Sequence, residues 1–214
     1  MILAKDHEVL EAAELTVGLL EQDAPVRQQM EKYGFTKANV KEGKRLLTEA
    51  ISAQQKKDSS YDAQYELGQQ IKAQLEAVQA QFKDHVKVAR VAYRNEPTVL
   101  HTLRIERIGQ KGWPSVRQAS YFYHKLQERG LSLAAYGVSN EDVQRATQET
   151  TQLLVLRQGR IRQKGVAENY TQEKREAFRA LRKWVRECRD VARIAFKDHP
   201  QRLEAFGMLV RSTV

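Results

Sequence analysis

The stretch Val88-Ala89-Arg90-Val91-Ala92-Tyr93-Arg94-Asn95 returns as Val191-Ala192-Arg193-Ile194-Ala195-Phe196-Lys197-Asp198, 103 residues later. Four of the eight positions are identical and the other four are close in chemistry. Without a gap, the same offset carries Pro97 onto Pro200, Leu100 onto Leu203, Tyr33-Gly34 onto Tyr136-Gly137 and Thr36 onto Ser139. The chain therefore reads as an internal duplication, with a first helical repeat over residues 1–103 and a second over 104–214.

Outward from this stretch, Leu67, Ile71, Leu75, Val78, Phe82, Ala89 and Ala92 recur at steps of three and four, the spacing of one helix face. A helix is predicted from about Tyr61 to Arg94, stopped by Asn95-Glu96-Pro97. Its repeat runs from about Glu168 to Asp198, with Phe178, Leu181, Val185, Cys188, Ala192 and Ala195 inward and His199-Pro200 as its end. Before each comes another helix. One is opened by Thr36 as N-cap and ends near Lys57; the other is opened by Ser139-Asn140-Glu141-Asp142 and ends near Lys164-Gly165. Lys57-Asp58-Ser59-Ser60 is the turn signal between the first pair.

Shorter helices are predicted over His7–Gln22, over Val26 to Tyr33 before Gly34, from Trp113 to Leu126, and in a tail from Leu203 to Val210. Gly109-Gln110-Lys111-Gly112 serves as linker. Each helical hairpin has an apolar face that only another layer can cover. The expected fold is thus all-α: duplicated hairpins forming one pseudo-two-fold four-helix bundle with short accessory helices, with two separate helical domains as the alternative.

The composition agrees with that class. Hydrophobic residues make up 41% of the chain, enough for a core, and only four Pro and eleven Gly interrupt it. The single Cys188 cannot form an internal disulfide and fits a reducing, cytoplasmic setting. Acid appears too early in Met1-Ile2-Leu3-Ala4-Lys5-Asp6 for a secretory signal, and no run of about 18 apolar residues offers a membrane span. The net charge of +9 is uneven, being −1 over residues 1–103 and +10 over 104–214. One half has acquired a basic surface, which points to an anionic partner.

The sharpest feature is Arg175, Arg179, Arg182, Arg186, Arg189 and Arg193, spaced by alternating steps of four and three along one helix face. They span ~27 Å at ~1.5 Å per residue. The matching positions of the first half are Lys72, Glu76, Gln79, Lys83, Val86 and Arg90, so the stripe belongs to the second half. The structural reading has Arg stems covering the core rim while their heads pair with Glu173, Glu176, Glu187 and Asp190 or with carboxylates of the first half. The functional reading is a groove for a polyanion, since the planar Arg fork suits phosphate and carboxylate. Trp184 is the one aromatic close to the stripe, either stacking or core-edge.

Other constellations are weaker. Arg90 and Arg193, the conserved pair of the repeat, are expected to cap or bridge a neighbouring helix, and His85 and Cys188, also matched, to face each other if the bundle is symmetric. Tyr121-Phe122-Tyr123 reads as core. The scattered histidines lack the Glu-x-x-His spacing of a helical di-metal site, so no metal and no cofactor is expected. Gly109-Gln110-Lys111-Gly112 matches a backbone-clamping Gly-x-x-Gly, but without flanking strands it reads as linker. No nucleophile or phosphate-loop motif occurs, so no catalytic residue is named. The function expected is a non-enzymatic scaffold or interaction protein that binds a protein partner, or itself as a homo-oligomer, through the basic face of the second repeat. Nucleic-acid binding through the same arginines is the first alternative, and carriage of a small hydrophobic ligand the second.

Overall fold

The computed structural model describes residues 5–105 and 112–208. Among them every regular element is helical: α1 (Asp6–Gln22), α2 (Ala24–Glu31), α3 (Lys37–Ala92), α4 (Pro97–Thr102), α5 (Trp113–Glu128), a 3-10 turn (Ala134–Tyr136), α6 (Asn140–Ala195) and a 3-10 segment (Pro200–Phe206). No helix among the described residues is long and apolar enough to cross a membrane. Most of the Gly109–Gly112 linker and the end of the expected tail helix lie outside the described residues.

The turns expected at Lys57-Asp58-Ser59-Ser60 and Lys164-Gly165 do not form: α3 and α6 each run unbroken for 56 residues. Neither half of the chain therefore folds back as a hairpin at these points. Asp and Ser favour turns by bonding nearby backbone, but the first stretch has no Pro to break the hydrogen-bond ladder and no Gly to leave it. Ser60 is buried, and the Lys57 ammonium lies 4.8 Å from the Tyr61 ring one turn on. Gly165 costs the second helix only ~1 kcal/mol relative to Ala, while Ala167, just beyond it, is buried.

The starts of the two long helices show one capping idea in two versions. At Ser139 the box is reciprocal: the Asp142 amide donates to Ser139 Oγ at 3.1 Å, and the Ser139 amide donates to Asp142 Oδ2 at 3.1 Å. At Thr36, expected to accept through its own hydroxyl, the roles differ. Asn39 Oδ1 receives both the Thr36 amide and its hydroxyl, each at 2.9 Å. The bounds of α6 are those of α3 displaced by 103.

The chain divides into two compact units, one from Met1–Tyr61 with Val166–Val214 and the other from Asp62–Gly165. In the first, α1, α2, the opening of α3 and the close of α6 share a core of Val9, Val17, Leu20, Met30, Phe35, Phe178, Leu181, Val185 and Cys188. In the second, the close of α3 packs with α5 and the opening of α6 around Phe82, Phe122, Tyr123, Leu126 and Ala146. Phe82, Phe122 and Tyr123 form an edge-to-face cluster with centroids 5.1–6.3 Å apart, an arrangement favoured by the ring quadrupoles.

His85 and Cys188, although matched by the 103-residue offset, are buried in different units rather than against each other. Tyr123 takes His85 as its hydrogen-bond partner, Oη to Nδ1 at 3.0 Å. Burial pushes the Cys188 thiol up to about 12, against the pull of Arg189, which leaves it inert.

Candidate functional site

Four of the six stripe arginines come together and two do not. Arg175, Arg179, Arg182 and Arg186 line an open groove of about 390 Å³ on the first unit, together with Lys57, Thr171, Lys174, Phe178 and Asp6. The helical step places all the α6 members on one side, and the buried ring of Phe178 forms the floor. Lys174 Nζ lies 5.2 Å and the Arg182 guanidinium carbon 5.8 Å from the centroid of that ring, so both cations are held against its face.

The lining of the groove is unbalanced, six cations to one carboxylate, although Lys57 also meets Asp58 Oδ1 at 3.1 Å. Asp6, the first residue of α1, bonds Lys174 Nζ through Oδ2 at 2.9 Å and Arg182 through Oδ1. Burial alone would raise its pKa, but the hydrogen bonds and charges of Lys174 and Arg182 outweigh that and hold it below the ordinary carboxylate range. Arg175 and Arg179 are exposed and, among the described residues, meet no carboxylate. Arg186 donates only to the Arg182 carbonyl, at 3.4 Å. Of the acids expected to neutralise the stripe, Glu176 accepts from Gln172 at 2.6 Å and Glu187 lies 3.7 Å from Lys183, while Asp190 pairs with Arg193.

The remaining two arginines have structural tasks. Arg189 is buried and donates through Nη2 to the Phe206 carbonyl at 3.3 Å, fastening the segment after α6 onto the core. Arg193 pairs with Asp190 on its own helix at 2.6 Å. Neither lines the groove, so the anion-binding set predicted from the sequence shrinks by these two. Periodicity placed all six on one stripe, but Arg189 falls where the returning chain covers it. Its counterpart in work is Arg90, which holds the Ile105 carbonyl through Nε at 3.2 Å and Nη2 at 2.5 Å.

Trp184 is a core residue rather than a stacking platform, donating Nε1–H to the Asn39 carbonyl at 2.8 Å. The exposed aromatic beside the groove is Tyr61, 46% exposed, with Lys57 4.8 Å from its ring and its hydroxyl 3.5 Å from that of the groove residue Thr171. Sequence reasoning missed Tyr61, Lys57, Lys174, Thr171 and Asp6. The available signal was the absence of Gly and Pro at residues 57–60, which would have carried the helix onward and brought Lys57 and Tyr61 beside the stripe.

Among the described residues no three His, Cys, Asp or Glu side chains converge as metal ligands. Phe122 and Tyr123 are fully buried, while Tyr121 carries Arg104 over its ring at 4.4 Å. No protein-family model, curated protein or solved structure matches this chain.

Proposed function

We propose that this chain is a non-enzymatic interaction protein that binds a polyanionic partner along the groove of Arg175, Arg179, Arg182 and Arg186. The observation that carries the reading is that Arg175, Arg179 and Arg186 share one groove with two lysines and, among the described residues, reach no carboxylate. Cations crowded this way repel one another and hold mobile counterions, whose release on binding a polyanion supplies favourable free energy. From Lys174 to Arg186 the helix rises ~18 Å, the axial span of about five phosphates of one duplex strand. An extended anion suits this length better than a compact one.

The finer architecture belongs to the same proposal: a duplicated helical scaffold in which one half has specialised its surface, supported by the sequence match and by the equal bounds of α3 and α6. Placement in the cytoplasm rests on the lone buried Cys188. Self-association would present the acidic first half of one molecule to the basic groove of another. Nucleic acid is the partner favoured by a specific observation, the exposed Tyr61 ring at the groove, since bases stack on aromatic faces beside basic channels. A hydrophobic cargo finds no support in a groove lined by six cations.

The test is fluorescence anisotropy with labelled single-stranded and duplex oligonucleotides between roughly 50 and 200 mM salt. With the four cations not held by Asp6 engaged, the log–log salt slope is expected near −3. Changing Arg175, Arg179 and Arg186 to Gln should flatten it to about −1. Equal competition by poly-glutamate would move the partner from nucleic acid to an acidic protein segment. No binding by the intact chain at the lowest salt ends the polyanion reading.

A further inference from the structure

We infer that Asp6 sits in a phosphate subsite of the groove, an internal anion that keeps Lys174 and Arg182 from the partner. This inference rests on the polyanion reading of the groove. Lys174 and Arg182 stand eight residues apart, ~12 Å along α6, yet their side chains converge over Phe178 onto the two oxygens of a single carboxylate. Two donors aimed at two oxygens of one planar anion offer the arrangement that a phosphodiester's two free oxygens require.

The site is also well formed. The side chains of Lys174 and Arg182 are 18% and 30% exposed, whereas Arg175, Arg179 and Arg186 lie open. The two sheltered cations are therefore spoken for within the chain, and the three open ones are not.

The chemistry of Asp6 also limits the ligand. A carboxylate tethered through α1 acts at an effective concentration in the millimolar range or above. A free carboxylate or a single small anion would exchange like for like and gain nothing. A polymer already anchored on Arg175, Arg179 and Arg186 brings its next charge to the edge of this subsite, where Asp6, held through α1, keeps it out. The partner implied is a polyanion long enough to hold the open arginines first, and the exposed Tyr61 ring beside the groove favours a phosphate polymer with bases. Asp6 sets how tightly it is held.

The experiment compares the intact chain with Asp6→Asn, Asp6→Glu and Asp6→Asn/Lys174→Gln, using a labelled single-stranded oligonucleotide. Asp6→Asn is expected to bind roughly three- to tenfold more tightly, with the salt slope steeper by about 1.4 as two further cations engage. Asp6→Glu keeps the charge and should keep the affinity of the intact chain. In the Asp6→Asn background, Lys174→Gln should remove about half of the gain in affinity and about half of the added slope.

An Asp6→Asn chain with unchanged circular dichroism and melting, but no tighter binding and no steeper slope, overturns the inference and leaves the groove reading standing. Should Asp6→Asn fail to fold, Asp6→Ser takes its place with the same expected gain. A folded chain without the Asp6 carboxylate that binds no tighter ends the inference. If neither the intact chain nor Asp6→Asn binds at about 50 mM salt, the groove reading falls and the inference with it.

Discussion

The joint between a long helix and the start of a shorter one is made twice in this protein, with opposite chemistry. In the first unit Arg182 pairs with Asp6. In the second, position 79 matches 182 at the 103-residue offset, and Gln79 Nε2 donates to the Gly112 carbonyl at 3.0 Å. Gly112 matches Asp6 at an offset of 106, the register at which buried Val9, Ala13, Thr16, Val17 and Leu20 of α1 correspond in sequence to buried Ser115, Ala119, Phe122, Tyr123 and Leu126 of α5. The offset slips because the connection from Leu126 to Gly137 is three residues shorter than that from Leu20 to Gly34. The second unit joins through a neutral hydrogen bond, and the first, at the groove, through charge.

A second difference has the largest expected effect. An added Cβ at Gly43 would stand 2.0 Å from the Trp184 ring, whereas the matching positions in the second unit are Ala146 and Gln81. Gly43→Ala should cost about 2–3 kcal/mol through overpacking. With Trp184→Gln already in place, the same change should instead gain up to ~1 kcal/mol from helix propensity. Urea unfolding of the four chains measures this; an equal cost in both backgrounds would break the comparison.

The two fastening arginines come next. Arg90→Gln should loosen the Ile105 carbonyl and Arg189→Gln that of Phe206, each at about 1–2 kcal/mol, since each leaves a backbone acceptor without its charged donor. Thermal melts of the two variants should show similar losses although the residues do not occupy matched positions. A loss confined to one of them would mean that only one unit depends on its returning segment.

A third contrast separates the units by acid. Burial lowers the pKa of His85 below 6.5, against the opposing pull of Asp142 and Asp84. The folded chain then binds this proton less readily than the unfolded one. Stability is therefore complete above about 6.5 and declines as the pH falls below it. Cys188 occupies the matched position in the first unit and carries no charge there. Trp113 and Trp184 report on the second and first units respectively, so single-tryptophan variants can follow each. Between pH 7.5 and 5.5 the Trp113 transition should move down further than the Trp184 transition. Tyr123→Phe should cost about 1 kcal/mol at pH 7.5 by removing the hydroxyl that meets His85 Nδ1.

The smallest effect is expected at Arg193. Its pair with Asp190 is exposed and lies within one helix, so Arg193→Gln should change stability by less than about 0.5 kcal/mol. It should also leave oligonucleotide affinity unchanged, because the residue lies outside the groove. A marked loss of binding would restore it to the stripe.

The sequence by itself determined the helical class, the stops at Pro97 and Pro200, the capping box at Ser139 and Asp142, and the alignment of six arginines on one face of α6. These are local quantities: periodicity, capping and proline chemistry act over one or two turns. The continuity of α3 through residues 57–60 did not read as helix, since Asp and Ser signal a turn in isolation, and its one trace was the absence of Gly and Pro there. Nor could spacing divide the arginines. Whether a guanidinium meets a backbone carbonyl, as Arg189 does, a carboxylate from 176 residues away, as Arg182 does, or only solvent is fixed by what the tertiary structure brings beside it. Helix phase sets the direction of a charged side chain; long-range packing sets its partner.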